Sequence, residues 1–396
     1  MEWFTLDSSF RRSEIIEGFE SFIWTERYIS AGDFQIVTRS TPENKALLKL
    51  DTWIGMTDSY RTMKIETLSD AVAEDGVRKL TVTGRSMEAA FMSDRQTLLG
   101  IGTGYDYADG FGQEYITNQP AAMMAYLFTR STVTTPCNVL DIMPFYHSGS
   151  LLPAGSIALP VIGSGAEMQI DVGDLYSVIK SLAEVFDVGF RLVRNGDAGE
   201  VYFETYRGDD RTSGQTARTP VIFTSGMETL DKTTFVKSSS MVKTVAYVYA
   251  QHGSREVYAP GHSSSDTGFS RRILYVKADD LNQAAGTTLN NLMQQRGLNE
   301  LVKNSMVYAF DGEIPQSQPY VYQVDYGLGD HVEERSDDGS ANTMIVTEQI
   351  FVSDNQGERS YPTLTLFLTA VPGTWDTIAP TQHWADYAGT VHWSDL

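Results

Sequence analysis

The residues that could perform chemistry are few in this sequence. Nucleophilic catalysis needs a hydroxyl or thiol with a base and an orienting group, but the chain has no Gly-x-Ser-x-Gly turn and no basic residue beside its single cysteine, Cys137. A zinc site needs clustered ligands. The six histidines are scattered, at His147, His252, His262, His331, His383 and His392. We therefore expect no enzymatic activity and no metal or other cofactor.

A glycine-rich loop and several pairs of acids are the remaining candidates for ligand binding. Residues 100–112 begin with three alternate glycines but lack the Gly-Lys-Ser/Thr ending of a phosphate-binding loop. Asp106 and Asp109 could ligate calcium, although their spacing is not that of an EF-hand; the alternative is a surface loop packed by its own aromatic residues. Paired acids could serve a glycosidase, but most adjoin turns, where Asp is favoured for backbone reasons. The pairs are 74–75, 209–210, 333–334 and 337–338.

A short repeat near the end of the sequence is the best candidate for an interface. His-Trp-Ala-Asp at 383–386 recurs as His-Trp-Ser-Asp at 392–395. The candidate interface residues are His383, Trp384, Tyr387, His392 and Trp393. Buried Trp dominates interface energies, and exposed Trp is a solubility liability. We expect this segment either to dock on an adjacent subunit or another protein, or to fold back on its own chain; a metal shared by the two histidines would lack a complete ligand set.

Composition and charge exclude several classes of protein. The 396 residues, 41% hydrophobic and 11% aromatic, suffice for a core and for two to four domains. The 51 acidic residues exceed the 30 basic ones, for a net charge of −21. This argues against specific binding of nucleic acid and against an anionic membrane surface. The sequence starts with an acid at Glu2 instead of the basic residues of a signal peptide, and it has no run of about 18 apolar residues. We expect a protein that folds in a cytoplasm without inserting stably into a membrane.

Alternating apolar and polar residues predict short antiparallel strands at both ends of the chain. Residues 1–85 predict a first small β-barrel, with one hairpin turning at 31–33 and another at 75–76. Residues 220–372 predict a second β-barrel with a helical insertion near 279–303, and 373–396 form an aromatic tail. The predicted strands are 22–28, 34–37, 47–54, 63–68, 79–83, 221–224, 244–249, 273–276, 306–310, 321–326, 331–335, 342–352 and 363–370.

The middle of the chain, residues 86–219, predicts an α+β insertion domain. Ser86 and Asp174 are candidate helix caps, and a further helix begins near Asn118. The helix after Asp174 is amphipathic, and a hairpin follows that turns at Asn195. The predicted fold class is therefore α+β but mainly β, with two small antiparallel β-barrels and α+β insertions.

Three short motifs carry a resemblance to a known family. The first motif is Trp-Thr-Glu-Arg-Tyr at 24–28 with Gly-Asp-Phe-Gln-Ile at 32–36; the second is Met-Lys-Ile-Glu at 63–66 with Gly-Arg-Ser-Met-Glu at 84–88 and Arg95; the third is Asp-Tyr-Gly-Leu-Gly-Asp-His-Val at 325–332. Together and in this order they resemble the tail hub proteins, or minor tail proteins, of long, non-contractile-tailed bacteriophages (siphophages). That family is similar in fold to the baseplate hubs of contractile tails. The resemblance spans about residues 20–370.

The resemblance implies a structural hub at the tip of the virion tail, made in the host cytoplasm. In this family two barrels per subunit give a homotrimer a pseudo-sixfold ring, which stacks on the hexameric distal tail or tail tube protein. The implied neighbours are the tape measure protein and other tail-tip or fibre proteins. Larger members carry a C-terminal fibre or cell-wall hydrolase, for which we expect no room in a chain ending at Leu396.

The genome would pass through the channel of such a hub without specific binding. Excess acid along that channel would repel DNA phosphates; the alternative is that the acid only keeps the protein soluble. A second possible function is a receptor- or carbohydrate-binding tail-tip protein, and a third is a cell-wall hydrolase.

Overall fold

The computed structural model describes most of the chain, with gaps. The described residues are 1–73, 76–95, 113–118, 120–129, 131–132, 146–147, 166–171, 173–195, 200–224, 231–251, 253–278, Leu281, 286–304, 307–313, 320–335 and 341–366.

Strands dominate the described residues. Strands β1 to β12 are Trp3–Leu6, Arg12–Ile15, Phe19–Arg27, Asp33–Arg39, Trp53–Met56, Thr62–Val72, Arg78–Ser86, Gln113–Asn118, Tyr146–His147, Ala166–Asp171, Gly189–Asn195 and Glu200–Tyr206. Strands β13 to β21 are Ile222–Phe223, Asp231–Ser238, Val245–Ala250, Gly253–Tyr258, Ile273–Lys277, Val307–Glu313, His331–Arg335, Ala341–Asp354 and Gly357–Leu366. Helices α1 to α5 are Pro42–Leu47, Met87–Met92, Pro120–Thr129, Leu175–Phe186 and Gly286–Lys303.

One large sheet contains strands from both ends of the chain. Its order is β14-β18-β21-β20-β3-β4-β7-β6-β5-β1-β2, and β19 pairs with both β20 and the short β13. Strands β3 and β20 join the two ends, in an antiparallel register that sets Trp24 opposite Phe351. Counting the pair itself, four successive antiparallel strands extend in each direction, β20-β21-β18-β14 and β3-β4-β7-β6, and the second run continues through β5, β1 and β2.

The core under the N-terminal strands is formed by apolar side chains that occur at every second residue of β3 and β4. Phe22 and Trp24 on β3 and Phe34 and Ile36 on β4 are all at most 2% exposed, because alternate side chains point to the same face of a strand. Trp3 on β1 stacks on Phe22 with ring centroids 3.7 Å apart. Burial of these rings stabilises the sheet by the hydrophobic effect, about 25 cal/mol per Å² of apolar area.

The middle of the chain packs its helices on a hairpin. Asp174 caps α4 by accepting a hydrogen bond from the backbone amide of Ser177 (2.8 Å), as expected for an Asp at this position. The helix then buries Ile179 and Leu182 against Phe190 of the β11–β12 hairpin. The two strands of that hairpin pair antiparallel.

A smaller module occupies 239–304. Strands β16, β15 and β17 form a three-stranded sheet in that order, and α5 packs on one of its faces. Val248 and Val257 contact the helix at Gly297, where a Cβ atom would lie 2.6 Å from a methyl group of Val257. A glycine is therefore required for this close approach of helix and sheet.

The mainly β, mixed α and β class predicted from the sequence is confirmed, and so are most of its elements. Two predicted strands are wrong. At 47–54 the strand begins only at Trp53, because Thr41 caps α1 and Asp51 adopts a left-handed turn (φ 64°). At 321–326 the chain forms a turn, in which the Asp325 carboxylate accepts a hydrogen bond from the Val321 amide (2.7 Å).

The predicted pair of β-barrels is not confirmed. The large sheet does not close on itself within the described residues. The strands assigned to the two barrels instead share this sheet through the β3–β20 pair. The boundaries at 85, 219 and 372 stay predictions.

The described helices include none that is long and apolar enough to span a membrane.

Prediction: replacing Gly84 by Ala should destabilise the large sheet. A Cβ atom at this position would lie 1.7 Å from the backbone oxygen of Lys64 on β6, and a paired backbone cannot give way cheaply. We expect the free energy of unfolding to fall by about 1–3 kcal/mol, measured by urea denaturation. Gly214→Ala is the matched control, because its nearest neighbour would lie at 3.8 Å. Equal stability of both variants would contradict the packing described for β6 and β7.

Candidate functional site

The first two sequence motifs meet at a cluster of polar side chains, all buried except the half-buried Tyr322. We call this cluster the buried junction. It brings together the N-terminal strands, the middle of the chain and the C-terminal segment. Its members are Glu26, Ser59, Arg61, Glu88, Tyr206 and Tyr322.

Arg61 is the one basic member of the buried junction, and its side chain is 3% exposed. Its Nη2 donates hydrogen bonds to the backbone oxygen of Arg27 (2.8 Å) and to the hydroxyl of Tyr206 (3.2 Å). Its Nη1 lies 3.8 Å from Oε1 of Glu88. Burial alone would lower the pKa of Arg61, but the nearby Tyr206, Glu88 and Glu26 raise it above its ordinary value. Arg61 is therefore charged at any physiological pH.

Glu26 is the acceptor around which the buried junction is organised. Its Oε1 accepts hydrogen bonds from the indole of Trp24 (3.2 Å) and from the hydroxyl of Ser59. Its Oε2 accepts one from the hydroxyl of Tyr322 (3.0 Å). Burial, followed by the charge of Glu26, raises the pKa of Tyr322 well above its usual value, so this tyrosine acts as a permanent donor.

The second motif reaches the same cluster through the start of α2. Oε1 of Glu88 accepts a hydrogen bond from the backbone amide of Leu192 on β11 (2.9 Å). The hydroxyl of Ser86 accepts one from the amide of Gly32 (2.9 Å) instead of capping α2. Arg85 pairs with Glu66 through two hydrogen bonds of 2.8 Å. The motif thus ties the large sheet to the middle of the chain.

Arg27 of the first motif connects three strands at the point where the ends of the chain meet. Its Nε lies 2.5 Å from Glu348 on β20, and its Nη1 lies 2.5 Å from Asp33 on β4. The same Nη1 donates to the backbone oxygen of Ala31 (2.9 Å). Charge-assisted pairs of this geometry are stronger than neutral hydrogen bonds, so they support the β3–β20 pairing.

The third motif forms a buried turn that packs on the first. Gly329 has a φ of +87°, and a Cβ atom there would lie 2.4 Å from the ring of Tyr28. Asp330 accepts hydrogen bonds from the amides of Asp209 (2.7 Å) and Gly327 (2.9 Å), and Arg211 lies 3.4 Å away. Burial raises the pKa of Asp330 to about 6, because these partners only partly offset the loss of water.

Several acids and histidines that the sequence singled out have structural partners. Asp209 pairs with Arg218 (2.9 Å), and Asp210 accepts from the amide of Thr212 (2.9 Å). His262 lies 2.6 Å from Asp266. Glu333 and Glu334 are both buried, although neighbours on a strand face opposite sides. Glu333 accepts from the amide of Ser213 and Glu334 from the side chain of Asn342.

The other sequence candidates lie outside the described residues. They are Cys137, the loop 100–112, the acid pairs 74–75 and 337–338, and all five candidate interface residues, His383, Trp384, Tyr387, His392 and Trp393. In the part of the chain that the structure describes, no group of three or more His, Cys, Asp or Glu is arranged to hold a metal ion.

Sequence reasoning missed Arg61, Ser59, Tyr206 and Tyr322, which are single polar residues outside the motifs. One signal was present. Glu26 lies two residues from Trp24 on β3 and two residues from Tyr28, which directly follows the strand. In an extended chain it therefore faces the same side as these two large aromatic residues. A carboxylate at an inward position requires buried partners.

Prediction: Arg61→Met should strongly destabilise the fold, because Glu26 and Glu88 would lose their buried cation. Removing one partner of a buried ion pair costs about 3–5 kcal/mol, to be measured as the free energy of unfolding in urea. The matched control is Arg78→Met, which breaks the exposed pair of Arg78 with Asp70 and should cost at most about 1 kcal/mol. If both variants lose equally little, the buried junction does not hold the chain together.

Prediction: Asp330 should make the fold more stable as the pH falls from 7 towards 4. Its pKa of about 6 in the folded protein exceeds the ordinary value of 3.8, so the folded state binds the proton more tightly than the unfolded chain. The contribution is complete below about pH 4 and is lost as the pH rises through 6.

The variant Asp330→Asn isolates this contribution. The difference in unfolding free energy, wild type minus variant, should grow by about 2–3 kcal/mol between pH 7 and pH 4. A difference that stays constant over this range would show that Asp330 titrates normally.

Comparison with solved structures shows that this fold also occurs in phage tail proteins. No curated protein sequence matches the chain. Two tail proteins are among the solved structures that share its fold. The 43 kDa tail protein of prophage MuSo2 from Shewanella oneidensis is 13% identical, with a TM-score of 0.50 over 92% of this chain and 95% of that one. The tail protein from Neisseria meningitidis MC58 is 12% identical, with a TM-score of 0.52 over 95% of this chain and 98% of that one.

At identities of 12–13%, these structures show only that the fold is shared. The family of the chain is shown by a match to a family model. Residues 2–364 match the model of the siphovirus ReqiPepy6 Gp37-like protein family. The match includes all three motifs, the buried junction and nearly all of the large sheet. The chain therefore belongs to the siphovirus ReqiPepy6 Gp37-like protein family, a family of phage tail proteins.

Proposed function

We propose that this protein is the hub at the tip of a long, non-contractile phage tail. Family membership assigns it a structural role in the virion tail, among other tail components. The observation that supports the finer role is the large sheet, in which two antiparallel runs of four strands, β20-β21-β18-β14 and β3-β4-β7-β6, meet at the β3–β20 pair. We call these two runs the halves of the sheet.

Two similar halves in one subunit suit a change of symmetry along the tail. Three subunits would present six related surfaces, which is what a hexameric ring above them requires. In this proposal, strands within 20–85 and within 306–370 contribute the two surfaces, about 60° apart around the tail axis. The ring then stacks on the distal tail or tail tube hexamer and adjoins the tape measure protein and the fibre proteins.

The charge of the chain fits a hub whose channel carries DNA. A net charge of −21 per chain amounts to −63 for a trimer. Acidic side chains along the channel would repel the phosphates over a screening length of about 8 Å at physiological salt. The genome would then pass without adhering to the wall. Receptor or carbohydrate binding is the alternative role and stays an untested prediction of the sequence.

Prediction: a cryo-electron microscopy map of the intact tail should show this chain as a threefold ring at the distal end. Both halves of the large sheet should face the proximal ring, since each supplies one of six docking surfaces. Rebuilding the map without imposed symmetry is the appropriate measurement, because imposed sixfold averaging would hide the difference between the halves.

Two results would contradict the hub. One is a sixfold ring of this chain, and the other is a ring in which only one half of the sheet contacts the proximal protein. The same map reads the channel charge, and a lumen with more Lys and Arg than Asp and Glu would refute the proposed repulsion of DNA.

A further inference from the structure

The three-stranded sheet of the 239–304 module exposes a row of aromatic side chains, which we call the tyrosine face. It consists of Tyr247, Tyr249, Ile273 and Tyr275. Tyr275 is 70% exposed, and Tyr249 and Ile273 are each 38% exposed. The ring centroid of Tyr247 lies 6.1 Å from that of Tyr275 and 6.4 Å from that of Tyr249. Neighbouring exposed aromatic side chains of this kind are a candidate interaction site.

The tyrosine face lies on the side of the sheet away from α5. Val248 on β15 and Val276 on β17 pack in one cluster with Leu289 and Met293 of the helix. The tyrosines alternate with these valines along the same strands, in a register that sets Tyr247 beside Tyr275. Because alternate residues point to opposite faces, the helix covers one side only.

Charge distinguishes this module from the rest of the chain. Residues 239–304 contain seven Lys and Arg against five Asp and Glu, whereas the whole chain has a net charge of −21. Arg271, which precedes the strand that carries Tyr275, pairs with Glu256, which lies opposite Tyr247 on β16. The net charge of the module is +2, so an aromatic and acidic occupant of the tyrosine face meets less repulsion here than over the rest of the chain.

The pairing of β21 shows where the last segment of the chain leaves the large sheet. Thr365 pairs with Ala309 on β18, which places Leu366 beside Tyr308. Strand β18 begins four residues after α5 ends at Lys303, and β14 ends at Ser238, opposite Val307. The segment that follows Leu366 thus starts at the base of the 239–304 module, where both of its connecting strands enter.

The segment 367–396 has the aromatic and acidic composition of such an occupant. It contains three Trp nine residues apart, each followed within two residues by an Asp, and it has no Lys or Arg. The three are Trp375, Trp384 and Trp393. At up to about 3.3 Å per residue, its 30 residues reach any point of a module built on three short strands.

We propose that residues 367–396 dock intramolecularly on the tyrosine face of the same chain, through their tryptophans and aspartates. The proposal does not depend on the role as a hub. A tethered segment has an effective concentration of about 1 mM, so even an intrinsic dissociation constant of about 0.1 mM would keep it bound most of the time. Docking would bury the exposed aromatic surface of Tyr249 and Tyr275.

Quenching of tryptophan fluorescence by acrylamide tests this in the full chain. Trp3 and Trp24 are buried in the large sheet and Trp53 lies on β5, so the three tryptophans of the segment are the ones that docking would protect. We expect the double substitution Tyr249→Ser, Tyr275→Ser to raise the quenching constant at least twofold. Tyr126→Ser is the matched control, an exposed tyrosine on α3, and should leave it unchanged. Circular dichroism confirms that each variant is folded.

The same tyrosine substitutions in a chain without the three tryptophans of the segment show whether the change in quenching comes from those tryptophans. In a chain with Trp375, Trp384 and Trp393 replaced by Phe, the tyrosine substitutions should no longer change the quenching. The proposal is overturned if the double substitution has no effect in the wild-type background, or if it has the same effect in the Phe background. Protection that appears at 100 μM protein but not at 1 μM would also overturn it, because the segment would then dock on another copy.

Discussion

The arrangement of the chain depends on one buried cation, Arg61, held among carboxylates and tyrosines from distant parts of the sequence. Glu26 and Glu88 come from the N-terminal strands and α2, Tyr206 from the middle of the chain and Tyr322 from the C-terminal segment. A charge removed from water costs several kcal/mol unless it is paired. Each segment therefore supplies part of the pairing that the buried charge requires. The buried junction selects one mutual arrangement of these segments, which hydrophobic packing alone specifies less sharply.

The pairing of β3 with β20 is a second contact that brings distant segments of the chain together. The strands belong to opposite ends of the chain, and Arg27 binds Glu348 across them. Contacts of such large sequence separation form late, since the entropy of closing the loop must be overcome first. A protein built this way gains a continuous rigid sheet. Such a sheet suits a structural component of a phage tail.

The glycines of the motifs explain why short stretches of sequence carry the family resemblance. Gly84 allows β7 to approach the backbone of β6, and Gly329 allows the third motif to lie against Tyr28. At both positions a side chain would collide with atoms that cannot move cheaply. The motifs are thus points of close packing between segments: the first two meet at the buried junction, and the third packs on the first.

The sequence by itself determined the local elements and the family. Alternation on β3, β4, β6 and β7, the cap at Asp174 and the three motifs all predict features that the structure has, because they depend on neighbouring residues. The strand predicted at 321–326 is wrong because a side-chain contact determines the local conformation there. Asp325 stabilises a turn in a run that is rich in β-forming residues. Only the tertiary structure showed that the strands of the two predicted barrels share one sheet, and that Arg61 joins Glu26, Glu88 and Tyr206. These depend on contacts between residues that are 27 positions apart, as for Arg61 and Glu88, to 333 positions apart, as for Ser21 and Asp354. No local pattern records which distant partner a buried polar side chain will have.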